Sequence, residues 1–282
     1  MSMKYDFTTI LNREGTGAIA VSKIPFDNAE IKEGFSKIPM WVADMNYATA
    51  PSVIEAIQNR LAHPVFGYFD IKDAYSESII EWQKTRNGVT DIPKEAIDYE
   101  NGVLGGVSSV LQAFTAPGEA ILLHSPAYIG FIGTITNMGR KIVYSPLKKD
   151  EQGVWRMDYE DMDKKLKENH IHLAIFCSPH NPSGRVWERE EIEAAMEVYR
   201  KNDCIVISDE IWSDLTLGNR QHIPTQTVSE DAKNRTIAMY APTKTFNLAG
   251  LIGSYHIVYN PYLRDRMNKQ TSLSHYNNMN IF

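Results

Sequence analysis

Leu173-Ala174-Ile175-Phe176-Cys177-Ser178-Pro179-His180-Asn181-Pro182-Ser183-Gly184 is an apolar run that breaks into a turn. Cys204-Ile205-Val206-Ile207-Ser208-Asp209-Glu210 repeats the pattern beyond a helical stretch at 188–202. An apolar run without polar alternation marks a strand buried on both faces. Two such strands separated by a helix make a parallel β-α-β unit. Outward from this unit lie further strand-like runs at Ala120-Ile121-Leu122-Leu123, Lys141-Ile142-Val143-Tyr144 and Thr236-Ile237-Ala238-Met239-Tyr240, with helical stretches at about 105–116 and 158–169. The expected fold class is α/β: three layers, α/β/α, around a mostly parallel sheet.

The first 48 residues carry no regular period. Pro51 opens a helix whose apolar positions are 53, 54, 57 and 61, with the proline in the first turn where its missing N–H costs nothing. The expected division is an N-terminal arm over 1–48 followed by one large domain over 49–282.

Ligands of such sheets bind at the carboxyl ends of the strands. Asn181, Asp209 and Lys244 all follow strand ends, in that order, 28 and 35 residues apart. A lysine that condenses with an aldehyde cofactor needs a carboxylate to keep the cofactor ring protonated and a polar amide for its phenolic oxygen. Asp209 and Asn181 supply these groups, so the set points to pyridoxal 5′-phosphate. In isolation each residue reads otherwise: Asp209 as a helix cap, Asn181 as part of an Asn-Pro turn.

Gly102-Val103-Leu104-Gly105-Gly106 opens a helix whose first-turn amides suit a phosphate dianion. No Gly-Lys-Ser/Thr follows, so it is not a P-loop. Tyr128, after the strand at 120–123, offers a ring that can stack on a flat cofactor or fill a core. Gly67-Tyr68 offers a hydroxyl, or simply a turn.

Composition narrows the function classes. The chain has 282 residues and net charge −6, which provides no field to gather nucleic acid or an anionic membrane. The two cysteines, Cys177 and Cys204, sit in apolar runs and read as buried strand thiols, not a disulfide. Among eight histidines only His170 and His172 share a strand spacing, and no His-Glu-x-x-His occurs, so no metal site is expected. The N-terminus has no apolar signal core and no run is long enough to span a membrane, giving a cytoplasmic expectation.

Taken as a set, Met40-Trp41-Val42-Ala43-Asp44-Met45, Phe66-Gly67-Tyr68, Ser125-Pro126-Ala127-Tyr128, Ser178–Trp187, Ser208-Asp209-Glu210-Ile211 and Thr243–Gly250 resemble the fold-type I pyridoxal-phosphate enzymes. The resemblance covers nearly the whole chain. It is to the class I/II aminotransferase superfamily, in the branch of cystathionine β-lyases and cysteine-S-conjugate β-lyases. It implies Lys244 as Schiff-base lysine and proton shuttle, Asp209 on the pyridine nitrogen, Asn181 on the phenolic oxygen and Tyr128 stacked on the ring. It further implies phosphate binding by the Val103 and Leu104 amides with the Thr243 hydroxyl. Tyr68 would reach the phosphate in a neighbouring subunit, which implies a homodimer acting on a small amino-acid substrate.

Three departures accompany the resemblance. Trp212 stands where relatives carry Tyr or His, and Ile252 stands where many aminotransferases carry an arginine for the phosphate. The family's C-terminal small domain is expected to be largely missing, and no residue here takes the role of its carboxylate-binding arginine. The expected activity is carbon–sulfur β-elimination. The alternatives are a class I/II aminotransferase and a catalytically impaired cofactor-binding chain.

Overall fold

A computed structural model describes residues 5–25, 30, 32–35, 38–274 and 279, with backbone alone described at 273 and 274. Two compact units are present. One takes in the chain up to Gly67 together with Pro242–Leu251, and the other takes in Tyr68–Ala241 and the chain from Ile252.

In the second unit seven of the described strands form one sheet: β1 (Ile97–Glu100), β2 (Ala120–Ser125), β3 (Lys141–Pro146), β4 (Leu173–Cys177), β5 (Ile205–Asp209), β6 (Thr236–Tyr240) and β7 (Ser254–Ile257), in the order β1-β7-β6-β5-β4-β2-β3. Strands β3, β2, β4, β5 and β6 run parallel, and β7 is antiparallel to both β6 and β1. The chain therefore has the mostly parallel sheet that its apolar runs imply.

Alternate residues of each strand point to opposite faces. On one face Ile121, Leu123, Ile175, Ile207 and Met239 pack with Val107, Val110 and Leu111 of the helix Gly102–Phe114 and with Phe131 of the helix Ile129–Asn137. On the other, Leu122, Phe176 and Val206 pack with Met162 of the helix Tyr159–Glu168 and with Ile192, Met196 and Tyr199 of the helix Arg189–Lys201. Full burial of each such side chain is worth about 1.5–3 kcal/mol, so the three-layer arrangement follows from hydrophobic burial on both sheet faces. Local signals fix the helix starts. Asp158 accepts the Asp161 N–H at 3.1 Å, and Glu188 and Glu191 form a reciprocal capping box ahead of Arg189–Lys201.

Differences from the sequence reading concern polar content. β1 (Ile-Asp-Tyr-Glu) and β7 (Ser-Tyr-His-Ile) do not read as strands because they carry Glu100 and His256. Both side chains are fully buried, and His256 Nδ1 lies 2.9 Å from Glu100 Oε1. The helix Asp73–Asn87 is masked in the same way by Gln83, buried and donating to the Tyr255 hydroxyl at 3.0 Å. The strand read from Cys204 begins at Ile205, because the Cys204 N–H still closes the preceding helix on Tyr199 O at 2.9 Å.

In the first unit Pro51–Leu61 is helical, as its spacing implies. Among the described residues no helix is long and apolar enough to cross a membrane.

Candidate active site

The loop after β4 is built by its own backbone. The His180 N–H donates to Arg185 O at 2.7 Å, the Gly184 N–H returns to His180 O at 2.8 Å, and His180 Nδ1 lies 2.8 Å from Ser183 Oγ. Gly184 turns with φ +72°, a conformation that favours glycine. Arg185 forms an ion pair with Glu191 that ties the loop to the next helix. Asn181, half-buried at the head of this loop, places its N–H 3.4 Å from the Cys177 thiol.

Asp209 is the last residue of β5, one position earlier than a residue beyond the strand. It is 5% exposed and stands in register with Cys177 of β4. The Ser178 N–H donates to its carbonyl at 2.9 Å, and its Oδ1 accepts the Ile211 N–H at 3.1 Å. Asn181 and Asp209 thus emerge from the carboxyl ends of adjacent strands.

Tyr128 meets this loop from β2. It lines a small cavity with His124, Cys177, His180 and Asn181, and its ring sits edge-on to Phe131 at 5.4 Å. The space for the ring is left by Gly130: a Cβ there would strike the Tyr128 ring and come within 2.8 Å of Leu104 Cδ1. Leu104 and Val103 occupy the first turn of the helix Gly102–Phe114, which starts at Gly102 with φ +76° and receives no side-chain cap on its amides. Helix first-turn amides lack intrahelical acceptors, so this end presents donors suited to a dianion. Burial holds the imidazoles of His124 and His180 low, each at about 4, so neutral rings face the Tyr128 side. Burial likewise pushes the Cys177 thiol well up, which keeps it protonated and unreactive.

Lys244 and Thr243 lie in the first unit, in the short helix Pro242–Thr245. Lys244 Nζ donates to Ala43 O at 3.2 Å. Asn247, left-handed at φ +56°, accepts the Met45 N–H at 3.2 Å and donates to Met45 O at 3.1 Å. Two motifs about 200 positions apart in sequence, around Met45 and around Lys244, are therefore joined by hydrogen bonds. Tyr68 stands fully exposed at the start of the second unit.

Within the second unit, then, Tyr128 and Asn181 share one cavity lining, Leu104 reaches the Tyr128 neighbourhood, and Asp209 lies one strand away. Gly130 and Asn247 escape sequence reading. The signal for Gly130 is its place two residues after an aromatic at a helix start. Trp212 and Asn181 also line a neighbouring cleft of about 490 Å³ with Val154, Val186, Leu215 and Arg220.

Comparison with known proteins decides the family. Residues 36–278 match the model of class I and II aminotransferases. The chain belongs to that family. It is 37% identical over 221 residues to the cystathionine β-lyase PatB of Bacillus subtilis, covering 78% of this chain and 57% of that protein. It is 31% identical over 264 residues to the protein MalY of Escherichia coli, covering 93% of this chain and 65% of MalY. The chain thus spans less than two thirds of the length of either relative. Among solved structures it is similar to cystalysin from Treponema denticola, which contains a pyridoxal 5′-phosphate cofactor, with TM-score 0.91 and 32% identity over 99% of this chain and 70% of that one.

Proposed function

We propose that this chain belongs to a pyridoxal-phosphate-dependent carbon–sulfur β-lyase, which converts cystathionine or another S-conjugate of cysteine, with water, into a thiol, pyruvate and ammonia. The observation that carries the reading is the similarity to PatB across 78% of the chain. The donor set agrees with it. A buried carboxylate at a strand end suits a protonated ring nitrogen, uncapped helix amides suit a phosphate, and an amide and an aromatic ring share one cavity lining.

When bound, pyridoxal phosphate supplies an aldehyde for amine condensation and a ring that accepts electrons from the substrate α-carbon. Everything else falls to the chain. Lys244 would hold the cofactor through its Nζ, and the same Nζ would take the α-proton of the substrate. The Asp209 carboxylate holds the proton on the ring nitrogen, and the Asn181 side chain donates to the phenolic oxygen. Tyr128 covers a ring face. The amides of Val103 and Leu104 and the Thr243 hydroxyl hold the phosphate, joined by Tyr68 of a second copy in a cytoplasmic homodimer. In this reading residues 1–48 form the arm and small-domain segment and 49–282 the large domain. Breaking the C–S bond sends its electron pair out on the thiolate.

An aminotransferase is the second reading, favoured by the family match itself. Both reactions begin with removal of the α-proton by Lys244, so product analysis separates them. On incubating the cofactor-loaded protein with cystathionine, the lyase reading expects thiol and pyruvate in equal amounts. Amino transfer that requires a keto acid and releases no thiol would replace it with the second.

A further inference from the structure

Directly after Asp209 lies a carboxylate that none of the proposed roles uses. Glu210 is fully buried, yet four donors converge on it. Its Oε2 is 2.6 Å from His222 Nε2 and accepts the Tyr240 hydroxyl at 2.6 Å. Its Oε1 accepts the Ser208 hydroxyl at 2.8 Å and the Thr225 N–H at 3.0 Å. His222 is itself 4% exposed, and its Nδ1 has no hydrogen-bond partner. Among the described residues, the imidazole's hydrogen bond is therefore to Glu210 alone.

A buried carboxylate is a poor way to gain stability, because desolvation offsets most of the attraction to its partners, and well-packed apolar residues do as well or better. Its value lies in fixing geometry. The place of this one is informative. Ser208 and Glu210 flank Asp209 on both sides, and Tyr240 is the last residue of β6, the strand paired with β5. The Glu210 N–H also donates to Met239 O at 2.9 Å, extending the β5–β6 ladder one step past Asp209. Both neighbours of Asp209 are thus pinned by side chain, and one by main chain, on either side of the residue whose Oδ1 accepts the Ile211 N–H.

We propose that Glu210, clamped by His222, Tyr240, Ser208 and Thr225, is a positioning residue that locks the carboxyl ends of β5 and β6 and so aims the Asp209 carboxylate at the cofactor ring nitrogen. The inference rests on the reading of Asp209 given above and adds to it the device that holds the aim. A carboxylate aimed by a rigid clamp keeps the ring nitrogen protonated; one that swivels shares that role with water.

The test uses the whole chain loaded with pyridoxal phosphate labelled with 15N in the ring. The ring-nitrogen chemical shift reports its protonation, and a fluorescence titration gives the cofactor Kd. Glu210→Gln keeps the volume but removes the charge that engages His222. It is expected to move the shift toward the unprotonated value and to raise Kd about tenfold. Tyr240→Phe removes one donor while keeping the ring, and is expected to move both in the same direction by less; should Glu210→Gln fail to fold, it decides alone. Val198→Ala, in the core under the opposite sheet face, serves as a control for lost stability and is expected to leave the shift in place. Loss of thermal stability in Glu210→Gln and Tyr240→Phe with an unchanged shift and Kd would overturn the positioning role. Asp209→Asn separates the two levels: a shift unaffected by that change would overturn the reading of Asp209 itself.

Discussion

At the scale of single residues, the chemistry proposed for Lys244, Asp209 and Asn181 is readable in the sequence because each is a reactive group at a strand end, where ligands of parallel sheets gather. The residues that shape their surroundings are not readable in the same way. Gly130 matters through the side chain it lacks, and nothing in the string marks the Tyr128 ring as its neighbour. Gly130→Ala is expected to displace the Tyr128 ring and weaken cofactor binding about tenfold, with little loss of fold stability, since Tyr128 is 38% exposed and can move outward. A titration of the variant with pyridoxal phosphate, read beside its thermal melt, checks both halves. Glu210 illustrates the opposite case: a charged residue name in a loop-like context conceals a core group whose donors come from β5, β6 and the 222–225 segment.

At the scale of elements, the five parallel strands are legible because burial on both faces forces continuous apolar runs. β1 and β7 are hidden because they carry Glu100 and His256, polar residues that come within 2.9 Å of each other only once the strands meet. His256→Ala therefore leaves Glu100 buried without its imidazole. Losing a buried hydrogen-bond partner in this way costs about 1–3 kcal/mol, and denaturant unfolding of the variant is expected to show a loss of that order. Gly106, in the helix Gly102–Phe114, tests the packing of that helix on the sheet. A Cβ there would come within 2.7 Å of the buried Met239 Sδ and 3.2 Å of Glu100 Cγ. Gly106→Ala is expected to destabilise by about 1–3 kcal/mol, seen as a lowered denaturation midpoint with an unchanged slope.

At the scale of the whole molecule, two buried imidazoles give the fold a defined acid response. His124 and His180 are held at about 4 in the folded chain by burial, against an ordinary value of 6.5. Between these values the unfolded chain binds protons that the folded chain refuses. The contribution of each ring is complete above about 6.5 and is lost as pH falls toward 4. Stability should decline across that window with a slope of up to about 1.4 kcal/mol per pH unit for each histidine. Denaturant melts from pH 7 to 4 measure it, and His124→Gln is expected to flatten the slope. Membership of the family was legible from six short motifs taken together, and the match over residues 36–278 bears it out. The hydrogen bonds that join the Met45 segment to Asn247 were not, since no local pattern links positions 202 residues apart.

The central claim is that Lys244 carries the cofactor. Incubating the protein with pyridoxal phosphate, reducing with borohydride and sequencing the modified peptide by mass spectrometry tests it most directly. The account predicts one phosphopyridoxyl group, on Lys244, and none in Lys244→Ala; a modified lysine elsewhere, or an unchanged adduct in that variant, would contradict it.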